Sequence, residues 1–180
     1  MGMKRSLVNS TRMDGLLLEV LDRSNRPVGV MPQNVVHSQK LKHHRVAALI
    51  YWPESTLLVS RRSSKCPDAP LCWDVSFSEH VSAGDSGYET LRQELHSRLG
   101  LPISKLRLLQ SLPACPETDN EILTLYSARL RSNPIRALDR GGGGELMLLD
   151  SYEVGALVDN FPHQVSSTLR LLHKMGAIFG

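Results

Sequence analysis

Half-cystines, long apolar runs and a charge excess are all scarce in these 180 residues, and each scarcity excludes something. Only Cys66, Cys72 and Cys115 are present, an odd number with no CxxC pair. That rules out a disulfide framework and reads as reduced thiols in a cytoplasmic protein. No apolar stretch approaches the roughly 20 residues of a membrane span, and no signal-peptide core is present. The 21 Lys and Arg against 18 Asp and Glu leave a net charge of +3. Those charges are scattered, whereas nucleic-acid binding calls for a clustered basic stripe. The four glycines at 141–144 lack the spacing of a nucleotide-binding loop and any strand-to-helix setting. Coiled-coil heptads are absent as well, so the pattern says nothing of oligomeric state.

What is there suits one globular domain. Residues 1–13 are polar, basic and aperiodic, and are expected to form a disordered tail before a single domain at 14–180. Leu16–Leu21 and Val28–Met31 flank Ser24-Asn25-Arg26-Pro27 as a hairpin. Pro32–Leu41 is a short helix or loop holding His37. Val46–Trp52 is nearly all apolar and is expected to be a central strand, with Leu57–Ser60 as its partner. Trp73–Phe77 reads as a strand, followed by a turn at Ala83–Ser86. Tyr88, Leu91, Leu95 and Leu99 then place one apolar stripe on a helix, with Gly100 at the C-cap position. Leu106–Leu112, Glu121–Leu130 and Glu145–Leu149 are further strands. Ser151 is expected to cap one helix and Pro162 to open the last, where Val165, Leu169, Leu172 and Met175 form a core stripe. The class is α/β.

The stretch from Glu79 to Leu101 resembles a Nudix box, GX5EX7REUXEEXGU with U apolar. Leu95, Gly100 and Leu101 fall on its apolar and glycine positions, Glu94 on its first helix glutamate and Asp85 on its upstream acid. The departures are Glu79 for the first glycine, Gln93 for the arginine, and Ser97 and Arg98 for the paired glutamates. Those glutamates gather divalent ions around a diphosphate, so the hydrolase motif is degenerate. The resemblance implies the Nudix fold, a mixed β-sheet sandwiched between helices.

Within that superfamily the chain is similar to type 1 isopentenyl diphosphate isomerase and its hydrolase relatives. His37-x6-His44, Trp73-x6-His80 and Asp119-Asn120-Glu121 match that family's two-His, third-His and Glu-Asn-Glu features. The resemblance implies a site for manganese, magnesium or zinc made of His37, His44, His80, Asp119 and Glu121, with Glu94 able to anchor a second magnesium. Asp119 and Glu121, if extended, project to one side of a strand. His43 is expected to be a bystander of His44, since neighbours point apart.

The chemistry departs from the isomerase. The family's acid, a cysteine two residues before the third His, is Ser78 here, and a hydroxyl is a far weaker acid than a thiol. Glu121 keeps the family's catalytic carboxylate. The tryptophan that faces the carbocation is replaced by Thr168, and the magnesium-binding helix glutamate by Arg98. Arg62, Lys65 and Arg98 are the candidates for gripping phosphate oxygens. The expectation is a metal-dependent enzyme acting on a small diphosphate compound, without nucleic-acid or membrane partners. True isomerisation and ligand binding without turnover remain as alternatives.

Overall fold

The computed structural model describes residues 15–53, 55–66, 69–99, 105–131 and 145–179. The anticipated tail, the cap at Gly100 and the glycine-rich connection at 133–144 lie outside the described residues.

Strand β3 (His43–Tyr51) is the axis of the fold. Val46 through Ile50 are almost completely buried because both faces of the strand are covered. That explains the unbroken apolar run where a half-exposed strand would alternate. On one side β3 pairs in parallel with β8 (Glu121–Arg129), which pairs antiparallel with β7 (Arg107–Leu112). On its other side β3 meets two strands in succession. Its first half pairs with β6 (Phe77–His80) and its last two residues with β4 (Leu57–Arg61). β4 continues the sheet to β5 (Trp73–Asp74) and β9 (Leu146–Leu149). Thus the run expected as one strand from Trp73 to Phe77 is broken. Ser76 turns inward and donates to Leu58 O while accepting from Ile50 N, tying β3 to β4 where they diverge.

Helices cover both faces. Helix α2 (Gly87–Leu99) lays Leu91 and Leu95 on Val46, Ala48, Ile50, Leu58 and Phe77. It approaches closely because its first residue is glycine: a Cβ at Gly87 would stand 2.6 Å from Val46 Cγ1. Tyr88, expected in the buried stripe, is 39% exposed and meets Tyr126 edge to face. The opposite face of the sheet packs Ala47, Leu49, Leu123 and Leu125 against α3 (Ser151–Asn160) and α4 (Ser167–Lys174), through Val154, Leu169 and Leu172. Each fully buried leucine contributes about 1.5–3 kcal/mol.

The caps differ from expectation by a residue or more. Asp150, not Ser151, caps α3, in a reciprocal pair with Glu153. Pro162 opens only a single 3-10 turn. Val165 is then held in a bridge to Trp73, and Ser166 caps α4 by accepting from Leu169 N. Met175 is therefore 47% exposed, past the end of the helix.

A separate hairpin, β1 (Leu17–Leu21) with β2 (Pro27–Pro32), leads into the short helix α1 (Gln33–Ser38). Leu18, Val20 and Val36 form a small core of their own. That core places α1 over the first residues of β3.

Candidate metal centre

Parity along three adjacent strands builds the site. In β3, His43, Arg45 and Ala47 point to the face covered by α3 and α4, while His44 and Val46 point to the α2 face. β6 sets His80 opposite Arg45 and Ser78 opposite Ala47. β8 sets Glu121 beside His43 in parallel register. α1 supplies His37 from above, and Gln33 one turn earlier. His37, His43, His80 and Glu121 each offer one donor atom, and the four atoms lie within 4.8 Å of one another.

The contacts are close and share one centre. His80 Nε2 is 2.9 Å from Glu121 Oε1 and 3.0 Å from His37 Nε2. His43 Nε2 is 3.3 Å from the same oxygen, and His37 Nε2 is 4.0 Å from it. The three imidazole rings have centroids 4.8 to 5.4 Å apart. His43 Nε2 is buried without a hydrogen-bond partner, although Glu121 Oε1 is near. A buried imidazole nitrogen in that condition needs a reason.

The opposite nitrogens supply one. Each Nδ1 is turned outward to its own partner: Asp119 Oδ2 for His37 at 3.2 Å, Leu41 O for His43 at 2.8 Å, and Gln33 Nε2 for His80 at 3.2 Å. The carboxylate behind His37 and the carbonyl behind His43 accept from Nδ1–H and so free Nε2 to ligate, the usual way metal-binding histidines are held in one tautomer; His80 joins them once Gln33 presents its amide oxygen, in place of its nitrogen, to Nδ1. The donor set fits a divalent ion.

Electrostatics prepare the same state. Burial alone would push the Glu121 carboxyl up. The Arg45 guanidinium, with the His43 and His80 imidazoles, outweighs it and holds the group well below the usual carboxylate range. Burial lowers His80 from its ordinary value, Glu121 partly opposing and Arg45 and His37 adding to the shift. The centre thus presents an ionised carboxylate and a neutral His80, the forms that ligate.

Two of the expected ligands stand elsewhere. His43 takes the place expected for His44, because β3 begins at His43 and not at Val46. His44 faces α2, where burial lowers its pKa and Glu19 opposes that shift. Asp119 is not on a strand. It and Asn120 have φ of 54° and 64°, so the alternation argued for an extended Asp-x-Glu pair does not apply. Asn120 donates to Lys40 O, and Asp119 stands behind His37, 43% exposed.

The phosphate-gripping candidates divide. Arg98 forms an ion pair with Glu94 one turn back on α2, and its guanidinium lies over Phe77 on the α2 face. Neither residue is in the cluster, so the structure supports neither Glu94 as a ligand there nor Arg98 as a phosphate grip at that centre. Arg62 turns inward, giving Nη1 to Asp74 Oδ2 at 3.2 Å and Nη2 to Cys66 Sγ at 3.2 Å. Lys65 is exposed in the turn that follows. Ser78 Oγ accepts from Arg45 Nη2 at 2.7 Å. Thr168 is buried in α4.

Gln33, His43, Arg45 and Asp74 escaped the sequence reading. One signal existed: Arg45 is a charge inside an otherwise apolar central strand, and a buried arginine requires acids facing it. Parity from Arg45 then selects His43.

No protein-family model matches the chain. An uncharacterized Nudix hydrolase of Nostoc is 28% identical over 121 residues, 66% of this chain and 72% of that protein. Isopentenyl-diphosphate Delta-isomerase of Paenarthrobacter aurescens is 24% identical over 157 residues, 81% of this chain and 83% of the isomerase. Nudix hydrolase 3 of Arabidopsis thaliana is 33% identical over 90 residues, 48% of this chain and only 12% of that protein. The crystal structure of DR0079 from Deinococcus radiodurans, elsewhere described as a hypothetical Nudix protein, superposes with a TM-score of 0.72 at 19% identity. It covers 88% of this chain and 98% of that one. A mixed sheet between helices with these neighbours is the Nudix fold. Beside that fold, the chain is similar in sequence to curated Nudix hydrolases and isopentenyl-diphosphate isomerases.

Proposed function

We propose that the protein is a metal-dependent Nudix-superfamily enzyme acting on a small diphosphate-containing compound. The observation that carries this reading is the convergence of three imidazole Nε2 atoms on Glu121 Oε1, each imidazole tied outward through Nδ1. His37, His43, His80 and Glu121 would hold the ion. When bound, it supplies Lewis-acid polarisation and lowers the pKa of coordinated water toward neutrality. Three nitrogens and one carboxylate oxygen favour zinc over manganese and magnesium, which are better served by more oxygen donors.

Charge balance supports an anionic substrate. Within the buried network, Arg45 and Arg62 are matched by Asp74 and Glu121. A divalent ion adds two positive charges, and the half-exposed Asp119 beside His37 is the described acid outside that network that faces a candidate ligand. An anion such as a diphosphate completes the balance. Lys65, exposed beside the inward-turned Arg62, is the residue offered to its outer oxygens. Glu121 has Oε2 on Arg45 and Oε1 toward the imidazoles. Its chemical part is to hold the centre through Oε1 while Arg45 keeps Oε2. Ser78 has an oxygen lone pair engaged by Arg45, which leaves its hydroxyl to donate a hydrogen bond. Ser78 thus suits orienting a substrate better than replacing an acidic thiol, which favours hydrolysis over isomerisation.

The test is elemental analysis of protein purified without affinity chelators, with turnover on a panel of isoprenoid and nucleoside diphosphates. About one equivalent of zinc or manganese and phosphate release from a diphosphate are expected in the wild type. Neither is expected in His37→Ala/Glu121→Gln. Stoichiometric metal with no turnover on any diphosphate would make the protein a binder. Equal metal content in wild type and double variant would remove the site.

A further inference from the structure

Arg45 is a buried charge held from several sides. It is 6% exposed and reaches from β3 between β6 and β8. Nη1 donates to Glu121 Oε2 at 3.0 Å. Nη2 donates to Ser78 Oγ at 2.7 Å and stands 3.7 Å from Asp74 Oδ2. Asp74 is fixed in turn. Its Oδ1 accepts from Val75 N at 2.8 Å and from Ser166 Oγ at 2.6 Å, and its Oδ2 from Arg62 at 3.2 Å. Ser166 is the N-cap of α4, so the guanidinium is braced by a helix terminus as well as by two strands.

This bracing acts on the carboxylate. One oxygen of Glu121 belongs to Arg45 and the other to the three imidazoles, and a rotation that brought both oxygens inward would strand a buried guanidinium. Resting on the metal-binding reading above, we infer that Arg45 sets which metal the centre takes. By retaining Oε2 it limits Glu121 to one donor atom and keeps the protein's shell at three nitrogens and one oxygen. Such a shell favours zinc and cobalt, whereas magnesium and manganese are served by more oxygen donors. Arg45 is thus a positioning residue that acts through Glu121 without touching the ion.

The experiment uses the full chain stripped by chelation and loaded with Co2+ alone, whose visible absorption weakens as coordination number rises. Zn2+ and Mn2+ affinities are measured on the same material by competition. The wild type should give an intense, low-coordinate cobalt spectrum. Arg45→Gln, shown folded by circular dichroism, should give a weaker one, and its preference for zinc over manganese should fall by about tenfold. Arg45→Lys, which keeps the charge and one donor, should stay near wild type. If Arg45→Gln does not fold, Ser78→Ala, which frees one edge of the guanidinium, should shift the preference the same way by about threefold. A six-coordinate cobalt spectrum in the wild type, or an unchanged spectrum and preference in a folded Arg45→Gln or in the substitute Ser78→Ala, overturns the inference while leaving the metal site. Failure of the wild type to bind cobalt, zinc or manganese overturns the site itself.

Discussion

On one face of β3 and β6, three imidazoles and a carboxylate turn toward a common point, and each is held from behind by a second group. On the other face, α2 carries the Nudix-like stretch, yet its one retained glutamate, Glu94, spends its charge on Arg98 four residues on. Both faces descend from motifs legible in the chain, but only one has its polar groups aimed and braced. The difference lies in partners. Glu121 is buried among Arg45, His43 and His80, while Arg98 is 47% exposed in its side chain and lies along the surface of its own helix. Among the described residues, the groups that could hold a metal gather on the braced face.

The largest expected effect separates two neighbouring residues across that divide. His43→Ala removes a ligand and should abolish stoichiometric zinc or manganese binding, a loss of at least about 100-fold by calorimetry. His44→Ala removes a side chain on the α2 face and should change affinity by less than about threefold, within ordinary surface effects. The reverse outcome would place the ligand on the α2 face and join the two regions into one site.

A second, smaller effect is read from pH. Glu121 and His80 both have folded pKa values below their ordinary values of 4.5 and 6.5. For each, the unfolded chain binds more protons across the interval between the two values, so stability rises with pH there. The stabilisation is present above 4.5 for Glu121 and above 6.5 for His80, and is lost as pH falls from those values toward the folded ones. In metal-free protein, Tm should therefore drop on acidification from about pH 6.5 and more steeply below about 4.5. Glu121→Gln should lose the lower limb, and at neutral pH it should cost about 3 kcal/mol by leaving Arg45 short of a partner. An acid limb of the same depth in Glu121→Gln and wild type would show that Glu121 is not the group so strongly held.

How far the chain could be read follows the same line. The sheet and its helices were legible because β3, α2 and α4 carry apolar periods that burial on known faces demands. His37, His80 and Glu121 were legible because spacing fixed them onto elements whose ends were placed nearly right. His43 was lost to a three-residue error at the start of β3, since parity inverts with each residue of register. Asp119 was lost because two successive left-handed residues, Asp119 and Asn120, end the extended backbone before β8 begins. Asp74 and Gln33 were not legible at all: their roles are set by contacts 29 and 47 residues away in sequence, Arg45 for one and His80 for the other. The outer partners of a site have no spacing rule of their own.

The smallest predicted effect is the one that most sharply tests the division between the faces. Glu94 and Arg98 sit one helical turn apart, 17% and 47% exposed in their side chains, and an i,i+4 helix pair contributes about 0.3–0.5 kcal/mol. Glu94→Gln and Arg98→Gln should each shift stability by no more than that and leave zinc affinity unchanged, while Glu121→Gln removes it. If Glu94 does anchor a second ion once a diphosphate is bound, Glu94→Gln will instead raise the magnesium concentration needed for turnover and spare the resident metal. Assaying turnover against magnesium at fixed zinc distinguishes these. An unchanged magnesium requirement confines metal chemistry to the face of His43, and a raised one makes α2 a partner that acts only when substrate bridges the two.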